Sequence, residues 1–308
     1  MAETLENAGL GRLTGVKLGV PTTETPMKMN DLFDRYEREC IPELQPRSQR
    51  DYKGILAKLR NEFGEKDPEA IKPRHIVAFL DVPKGRIHRN RMVTILSTVY
   101  KKAIYKWCVS DDLRNPCDKV ERWPTKPRTR YVTDEEFHAF RSRCPAQVQI
   151  AMDLALLTGQ RQGDIIGLTW KMVHTVGVPR DKWHIEVKQG KTGKHLGIAI
   201  SPAVETVLKR ARVMEPMWPH QYVLRTNPRN LKKKGQRYTP DGFRALWQRH
   251  MAAYCRAGGR RFTFHDLRAK AISDNKNLES AYLLAGHIDM KMTRRVYDRN
   301  IRMVEPLR

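Results

Sequence analysis

Paired cysteines are missing from this sequence. Its five cysteines, Cys40, Cys108, Cys117, Cys144 and Cys255, are odd in number, scattered, and nowhere spaced as CxxC. That excludes a disulfide framework and a zinc module as organising devices and leaves small core residues or idle thiols. No uninterrupted apolar stretch approaches the length of a membrane span, so a membrane role for the basic residues is not expected. The opening segment MAETLENAGLGRL carries no charged-then-apolar leader pattern, and a cytoplasmic location is expected. Acidic residues are scarce, with 34 Asp and Glu against 58 Lys and Arg, and they form no dense cluster. Paired carboxylates around a divalent ion are therefore not the expected chemistry. Internal repeats and low-complexity segments are also absent.

What remains is a chain of 308 residues, long enough for two compact domains with real cores. Its apolar fraction of 40% is that of a globular protein. A formal net charge of +24 and a sequence pI of about 10.1 attract polyanions. A merely cationic surface would have the same composition, but here basic residues also sit inside motifs.

Residues 1–28 carry Gly, Thr and Pro with little periodicity and are read as a flexible N-terminal arm. Residues 29–122 read as an all-helical bundle of about four helices. Ser48 opens a segment with Tyr52, Ile55, Leu56, Leu59 and Phe63 on one face. Pro73 suits a helix first turn. A long helix then carries Val93, Leu96, Val99, Tyr100, Ala103, Ile104 and Trp107 as its stripe. Residues 123–131, containing WPTKPRTR, read as a proline-stiffened basic linker. Lys126 and Arg128 in it are candidate phosphate contacts, or part of a plain solvated connector.

Residues 132–308 form the expected second domain, mostly helical with one small β element. Thr133 and Glu136 make a capping box, and helical periodicity covers Phe137–Phe140 and Ile150–Leu157 until Thr158-Gly159 breaks it. Trp183–Val187 and Leu196–Ile200 are β-prone runs around a basic, glycine-bearing tip, which predicts a hairpin. Ser201-Pro202 and Thr239-Pro240 are helix starts. The fold class is thus mainly α with a small β-hairpin in the C-terminal domain.

Several motifs bear the side chains that phosphodiester cleavage requires: a nucleophile, cations for the non-bridging oxygens, and a proton for the leaving alkoxide. Arg161 and Arg268 offer planar guanidinium forks that match phosphate oxygens. Asp164, three residues past Arg161, is placed to hold that guanidinium in a salt bridge. His265 and Arg268 lie three apart and share a helix face, able to meet one phosphate together. An arginine in a turn and an isolated HxxR each have a purely structural reading as well. In Gly190-Lys191-Thr192-Gly193-Lys194, Lys191 on a mobile tip can reach a groove and protonate a departing 5′-oxygen. Lys188 and Lys194 read better as neutralisers of backbone phosphate, as do Arg260 and Arg261 in the basic turn before FTFHDLR. His287 is a further hydrogen-bond donor, and Tyr297, ten residues later, a nucleophile or an ordinary interface residue.

Taken in order, these segments resemble the tyrosine recombinases, the phage-integrase family, over roughly residues 29–297. ALLTGQRQGDIIGLTW resembles the first arginine box, with Arg161 and its supporting Asp164. QGKTGKHLGIAI resembles the hairpin bearing Lys191. FHDLR matches the box of His265 and Arg268, LLAGH that of His287, and Tyr297 falls at the nucleophile. Gln160, Ala269-Lys270 and Ala285 depart from the usual neighbours without removing a catalytic group. The resemblance implies a helical core-binding domain joined to a catalytic domain, and metal-independent, cofactor-free strand breakage and rejoining. Tyr297 would form a 3′-phosphotyrosyl bond. Arg161, Arg268 and His287 would stabilise the phosphorane, Lys191 would be general acid and His265 general base. It further implies double-stranded DNA recombination sites as partner, a homo-tetramer on DNA, accessory DNA-bending or directionality proteins, and a place with the nucleoid in a bacterial cytoplasm. The rival readings are a type IB topoisomerase-like nicking-closing enzyme, a metallonuclease and a non-catalytic DNA-binding module.

Overall fold

The computed structural model describes residues 26–190, 193–214, 221–226, 236–275, 277 and 283. The chain divides between Thr125 and Lys126 into two compact units.

The first unit is helical: α1 (Met29–Glu39), α2 (Pro46–Phe63), α3 (Pro73–Leu80) and α4 (Arg86–Tyr105), with a 3-10 turn at Pro68–Ala70. Pro46 and Pro73 each occupy a first helical position, where a missing N–H costs nothing and φ is already helical. This is why α2 begins two residues before the expected Ser48. Gly85, at φ +80, provides the left-handed residue from which α4 starts. The apolar stripes meet in one core that includes Phe33, Leu56, Leu59, Phe63, Leu96, Val99 and Tyr100. Phe63 and Phe79 pack edge to face at 5.4 Å. The Tyr100 hydroxyl, buried in this core, donates to the Pro68 carbonyl at 3.0 Å. The segment after α4 returns to the bundle, where the Trp123 indole donates to the Leu80 carbonyl at 2.8 Å and Arg86 lies 3.9 Å over its ring.

The second unit contains α5 (Asp134–Arg141), α6 (Ala146–Thr158), α7 (Gln162–Ile166), β1 (Val173–His174), β2 (His184–Lys188), β3 (His195–Ala199), α8 (Pro202–Val213), α9 (Pro240–Arg256) and α10 (Phe264–Ser273). The expected capping box opens α5: Glu136 N donates to Thr133 Oγ1 at 3.3 Å, and Thr133 N donates to the Glu136 carboxylate at 3.1 Å. Ser201 and Thr239 are simple N-caps of α8 and α9, their hydroxyls accepting from Val204 N and Gly242 N.

The strands form one antiparallel sheet in the order β1-β2-β3, with Ile185 opposite Ile198 and Val187 opposite Leu196. The hairpin stands where its sequence placed it. β1 was not expected, because two residues are too few to show an alternation.

The middle of this unit is α6, whose Val148, Ala151, Met152, Leu154 and Ala155 are nearly inaccessible. It packs against α8 and α10, which accounts for an apolar character that extends around the helix. An aromatic cluster fixes the entry to α10: Phe140–Phe262 at 5.2 Å, Trp247–Phe264 at 5.2 Å and Phe243–Phe264 at 5.4 Å. Each ring buried there contributes on the order of 2 kcal/mol.

Candidate active site

Two chain reversals create the site. Helix α6 ends at Gly159, whose φ of +61 is a conformation that other residues resist. The chain then turns through Gln160 to Arg161, the N-cap residue of α7. The second reversal is the hairpin root, where Gln189 N donates to the Lys194 carbonyl and Gly193 N to the Gln189 carbonyl, both at 2.8 Å.

Arg268, on α10, reaches the first reversal: its Nη1 donates to the Gly159 carbonyl at 2.6 Å. One short turn therefore carries Arg161 and receives Arg268, joining residues 109 apart in sequence. Arg161 is partly exposed, and its Nη1 donates to Gln189 Oε1 at 2.8 Å. Arg268 is 1% exposed. His265 is exposed on the first turn of α10. His265 and Arg268 both lie on α10, three residues apart, and differ in that the first is exposed and the second buried. The aromatic cluster at Phe264 turns α10 so that position 268 lies beneath it.

Asp164 departs from the expected salt bridge. Among the described residues it forms no ion pair with Arg161. Its Oδ1 accepts a hydrogen bond from Gly190 N at 3.0 Å, so the carboxylate fastens the root of the hairpin tip to α7. Asp164 stands at the third position of α7, where it is turned toward the strand ends, while Arg161 at the N-cap is directed to Gln189.

Two residues escaped attention as site members. Gln189 is 0% exposed and Gln160 3%. Gln189 Nε2 donates to Gln160 Oε1 at 2.8 Å, and Gln160 Nε2 donates to the Thr158 carbonyl at 2.9 Å. The only signal in the sequence was that Gln160 stands where an apolar residue is usual before the arginine.

The remaining predicted residues are dispersed. Lys188 ends β2 and is exposed, and Lys194 is half-buried opposite Gln189. Arg260 and Arg261 are exposed before α10, with Arg261 bonded to Gln248. Lys126 is exposed. Arg128 pairs at 2.8 Å with Asp266, which is fully buried and caps α10 by accepting from Thr263 N at 2.7 Å. Lys191, His287, Tyr297 and the arm over residues 1–25 lie outside the described residues.

Behind the site, Lys270 is 1% exposed. Its ammonium lies 2.8 Å from both Asp134 and Asp274 and donates to the Tyr131 hydroxyl at 3.3 Å. Burial alone lowers the pKa of this ammonium, but hydrogen bonds to Asp134, Asp274 and Tyr131 outweigh it and hold the pKa above the ordinary lysine value. Asp134 is lowered in return by its hydrogen bond from Lys270 and by that charge.

No helix among the described residues is long and apolar enough to cross a membrane. Among the same residues no three His, Cys, Asp or Glu side chains gather as a metal site.

Comparison with known proteins gives a consistent picture. The model of the phage integrase family matches residues 132–302. The chain is 25% identical to the integrase of Escherichia phage HK022 over 182 residues, covering 57% of this chain and 48% of that one. It is 28% identical to the ICEBs1 integrase of Bacillus subtilis (strain 168) over 155 residues, 47% of this chain and 41% of the other. The chain spans about half the length of these curated relatives. Its fold matches lambda integrase, solved as a tetramer bound to a Holliday junction, with TM-score 0.73 and 19% identity over 92% of this chain and 81% of that one.

Proposed function

The chain belongs to the phage integrase family, residues 132–302 carrying the match, and from that membership we propose that it is a site-specific DNA recombinase, cleaving and rejoining strands during integration or excision of a mobile element. The observation that carries the reading is the Gly159–Arg161 turn. It displays one guanidinium and anchors a second, Arg268, through the Gly159 carbonyl. Two fixed cations converging on a phosphate supply the stabilisation that developing phosphorane charge needs. Removing one such donor typically costs about 100- to 1000-fold in rate.

The chemistry assigned to the site is a transesterification. The Tyr297 oxygen attacks phosphorus, the bond to the 5′-oxygen breaks, and a 3′-phosphotyrosyl ester forms. His265 accepts the phenolic proton, and its exposure on α10 suits that task. Lys191 delivers a proton to the departing 5′-oxygen. The hairpin that carries Lys191 is tied beside the arginine turn by Gly190 to Asp164 and Gln189 to Arg161, which supports a common site. His287 joins the two arginines on the non-bridging oxygens. The ester conserves the phosphodiester linkage, so a 5′-hydroxyl from another strand can displace the tyrosine without an added energy source.

The partner is double-stranded DNA. Phosphate contacts from Lys188, Lys194, Arg260, Arg261 and Lys126 set affinity and its salt dependence, and Arg128 belongs to the same basic set. The assembled form is a homo-tetramer on two sites, in line with the tetramer that lambda integrase forms on a Holliday junction. Accessory DNA-bending or directionality proteins complete the complex, and the activity is cytoplasmic, at the nucleoid. Residues 29–122 act as the core-binding domain, residues 132–308 as the catalytic domain, and residues 1–28 as an arm.

The test is covalent capture on a library of nicked duplexes. Wild-type protein should become DNA-linked at Tyr297 in excess chelator, and Tyr297→Phe should bind DNA without becoming linked. An undiminished yield of linked product from Tyr297→Phe, or dependence on a divalent ion, refutes the proposal. Relaxation of supercoils without two-site exchange on the captured sequence would instead favour a topoisomerase.

A further inference from the structure

The buried amide pair Gln160–Gln189 has no place in the transesterification just described, yet it joins the arginine turn to the hairpin root. Gln189 Oε1 accepts from Arg161 Nη1 at 2.8 Å while its Nε2 donates to Gln160 Oε1 at 2.8 Å. Gln160 in turn is fixed to the end of α6 through the Thr158 carbonyl at 2.9 Å. The Thr158 hydroxyl closes the chain, accepting from Gln160 N at 3.4 Å and donating to the Leu154 carbonyl at 2.5 Å. An amide has one acceptor end and one donor end, so each bond dictates the orientation of the next. With Gln189 and Gln160 almost wholly withdrawn from water, an amide flip would strand polar atoms at a cost of about 1–3 kcal/mol each.

We infer that Gln189, held by Gln160, is a positioning residue that aims the Arg161 guanidinium at the scissile phosphate and couples it to the hairpin carrying Lys191. The inference rests on the recombinase reading above. A neutral amide suits the task. It fixes one guanidinium nitrogen without cancelling the charge, whereas a carboxylate in its place would compete with the phosphate. Because Gly190 N is also held by Asp164, consecutive residues of the hairpin root are fastened to the N-cap and the third residue of α7.

The experiment uses the duplex captured by the wild-type protein, in two forms: the natural phosphodiester and a methylphosphonate at the scissile position. The methylphosphonate lacks the non-bridging charge and so needs an aimed guanidinium less. Gln189→Met should slow single-turnover cleavage of the phosphodiester about 10- to 100-fold at saturating DNA, as misplacement of a binding group by a fraction of an ångström does. DNA affinity should be unchanged. On the methylphosphonate the deficit should shrink severalfold. Gln160→Met leaves the Arg161 acceptor in place and should show a smaller deficit with the same substrate dependence. The double variant should be no slower than Gln189→Met alone.

Equal slowing on both substrates, multiplicative losses in the double variant, or wild-type rates in Gln189→Met would overturn the inference. If Gln189→Met fails to fold by circular dichroism, Gln160→Met carries the same comparison. Failure of the recombinase reading is seen separately, as wild-type protein that never becomes linked to DNA, and it would remove this inference with it.

Discussion

Replacing Lys270 by Met tests how helix α10 is held, and the structure sets the size of the effect. The side chain is 1% exposed, so Met fills the channel of the aliphatic stem and no large cavity opens. What disappears is an ammonium with carboxylates at 2.8 Å on both Asp134 and Asp274 and a hydroxyl at 3.3 Å on Tyr131. Charge-assisted hydrogen bonds contribute about 1.5–3 kcal/mol each. Against this, the variant no longer desolvates a cation, a term of several kcal/mol. Asp134 has 73% side-chain exposure and Asp274 34%, so both orphaned carboxylates return to water at little cost. The net loss is about 1–3 kcal/mol. For a unit of this size, calorimetry should record a melting transition lower by roughly 3–10 °C. Lys270→Ala, which also opens a cavity, should fall further. A Lys270→Met transition within 1 °C of wild type, or above it, would refute the claim that this cluster secures α10. It would mean instead that the buried charge is a net burden, as some buried ion pairs are.

The stability gap between wild type and Lys270→Met should narrow at both ends of the pH scale. Asp134 is lowered from 3.8 by Lys270, so its contribution is complete above that pH and fades as pH falls through the depressed folded value. Lys270 is raised above 10.5, so its contribution is complete below 10.5 and fades as pH rises through the folded value, and melting curves across pH would show a constant gap if the pairing is unimportant. Gly159→Ala, forced to φ +61, should cost about 1–2 kcal/mol by denaturant unfolding and should slow cleavage because the same turn bears Arg161 and anchors Arg268. An unchanged cleavage rate in that variant would separate the turn from catalysis. Arg268→Lys should retain a positive charge but lose about 100-fold or more in single-turnover cleavage, since an ammonium cannot reproduce a guanidinium fork held by a carbonyl. A loss under threefold would remove Arg268 from the site.

What the sequence made legible depended on how local each cause was. The Thr133–Glu136 box, Ser201-Pro202 and Thr239-Pro240 announced their helices because capping acts within four residues. The hairpin was readable because two β-prone runs flank a glycine-bearing tip, and its strands fell within a residue of expectation. Strand β1 was not, since its two residues are strand only by pairing with β2. At the site, residue types and order were legible, but partnership was not. Asp164 looked like the partner of Arg161 because it is close in sequence, whereas α7 directs it to Gly190. The true acceptor, Gln189, lies 28 residues away on a different element. Likewise Lys270 looked like a neutral departure from a family pattern, and only the packing of α10 against the start of α5 reveals it as a buried cation.

The contrast between Lys270 and Arg161 explains why their partners differ. Both are cations, and withdrawing a cation from water is costly unless its hydrogens are met. Lys270 is met by two carboxylates. This satisfies it and also cancels its charge, an acceptable result for a residue that only braces a helix. Arg161 bonds the Gln189 amide, a neutral acceptor. Among the described residues Arg161 has no ion pair at all. A carboxylate in place of Gln189 would orient the guanidinium equally well, but it would offer the same geometry and charge as the phosphate that must bind there. A neutral acceptor leaves the field of the cation directed outward, where a phosphate can complete the coordination. In a chain with net charge +24, overall attraction to DNA is abundant. What the fold has to supply is a cation that is rigid but not neutralised, and the Gln160–Gln189 pair holds Arg161 in that way.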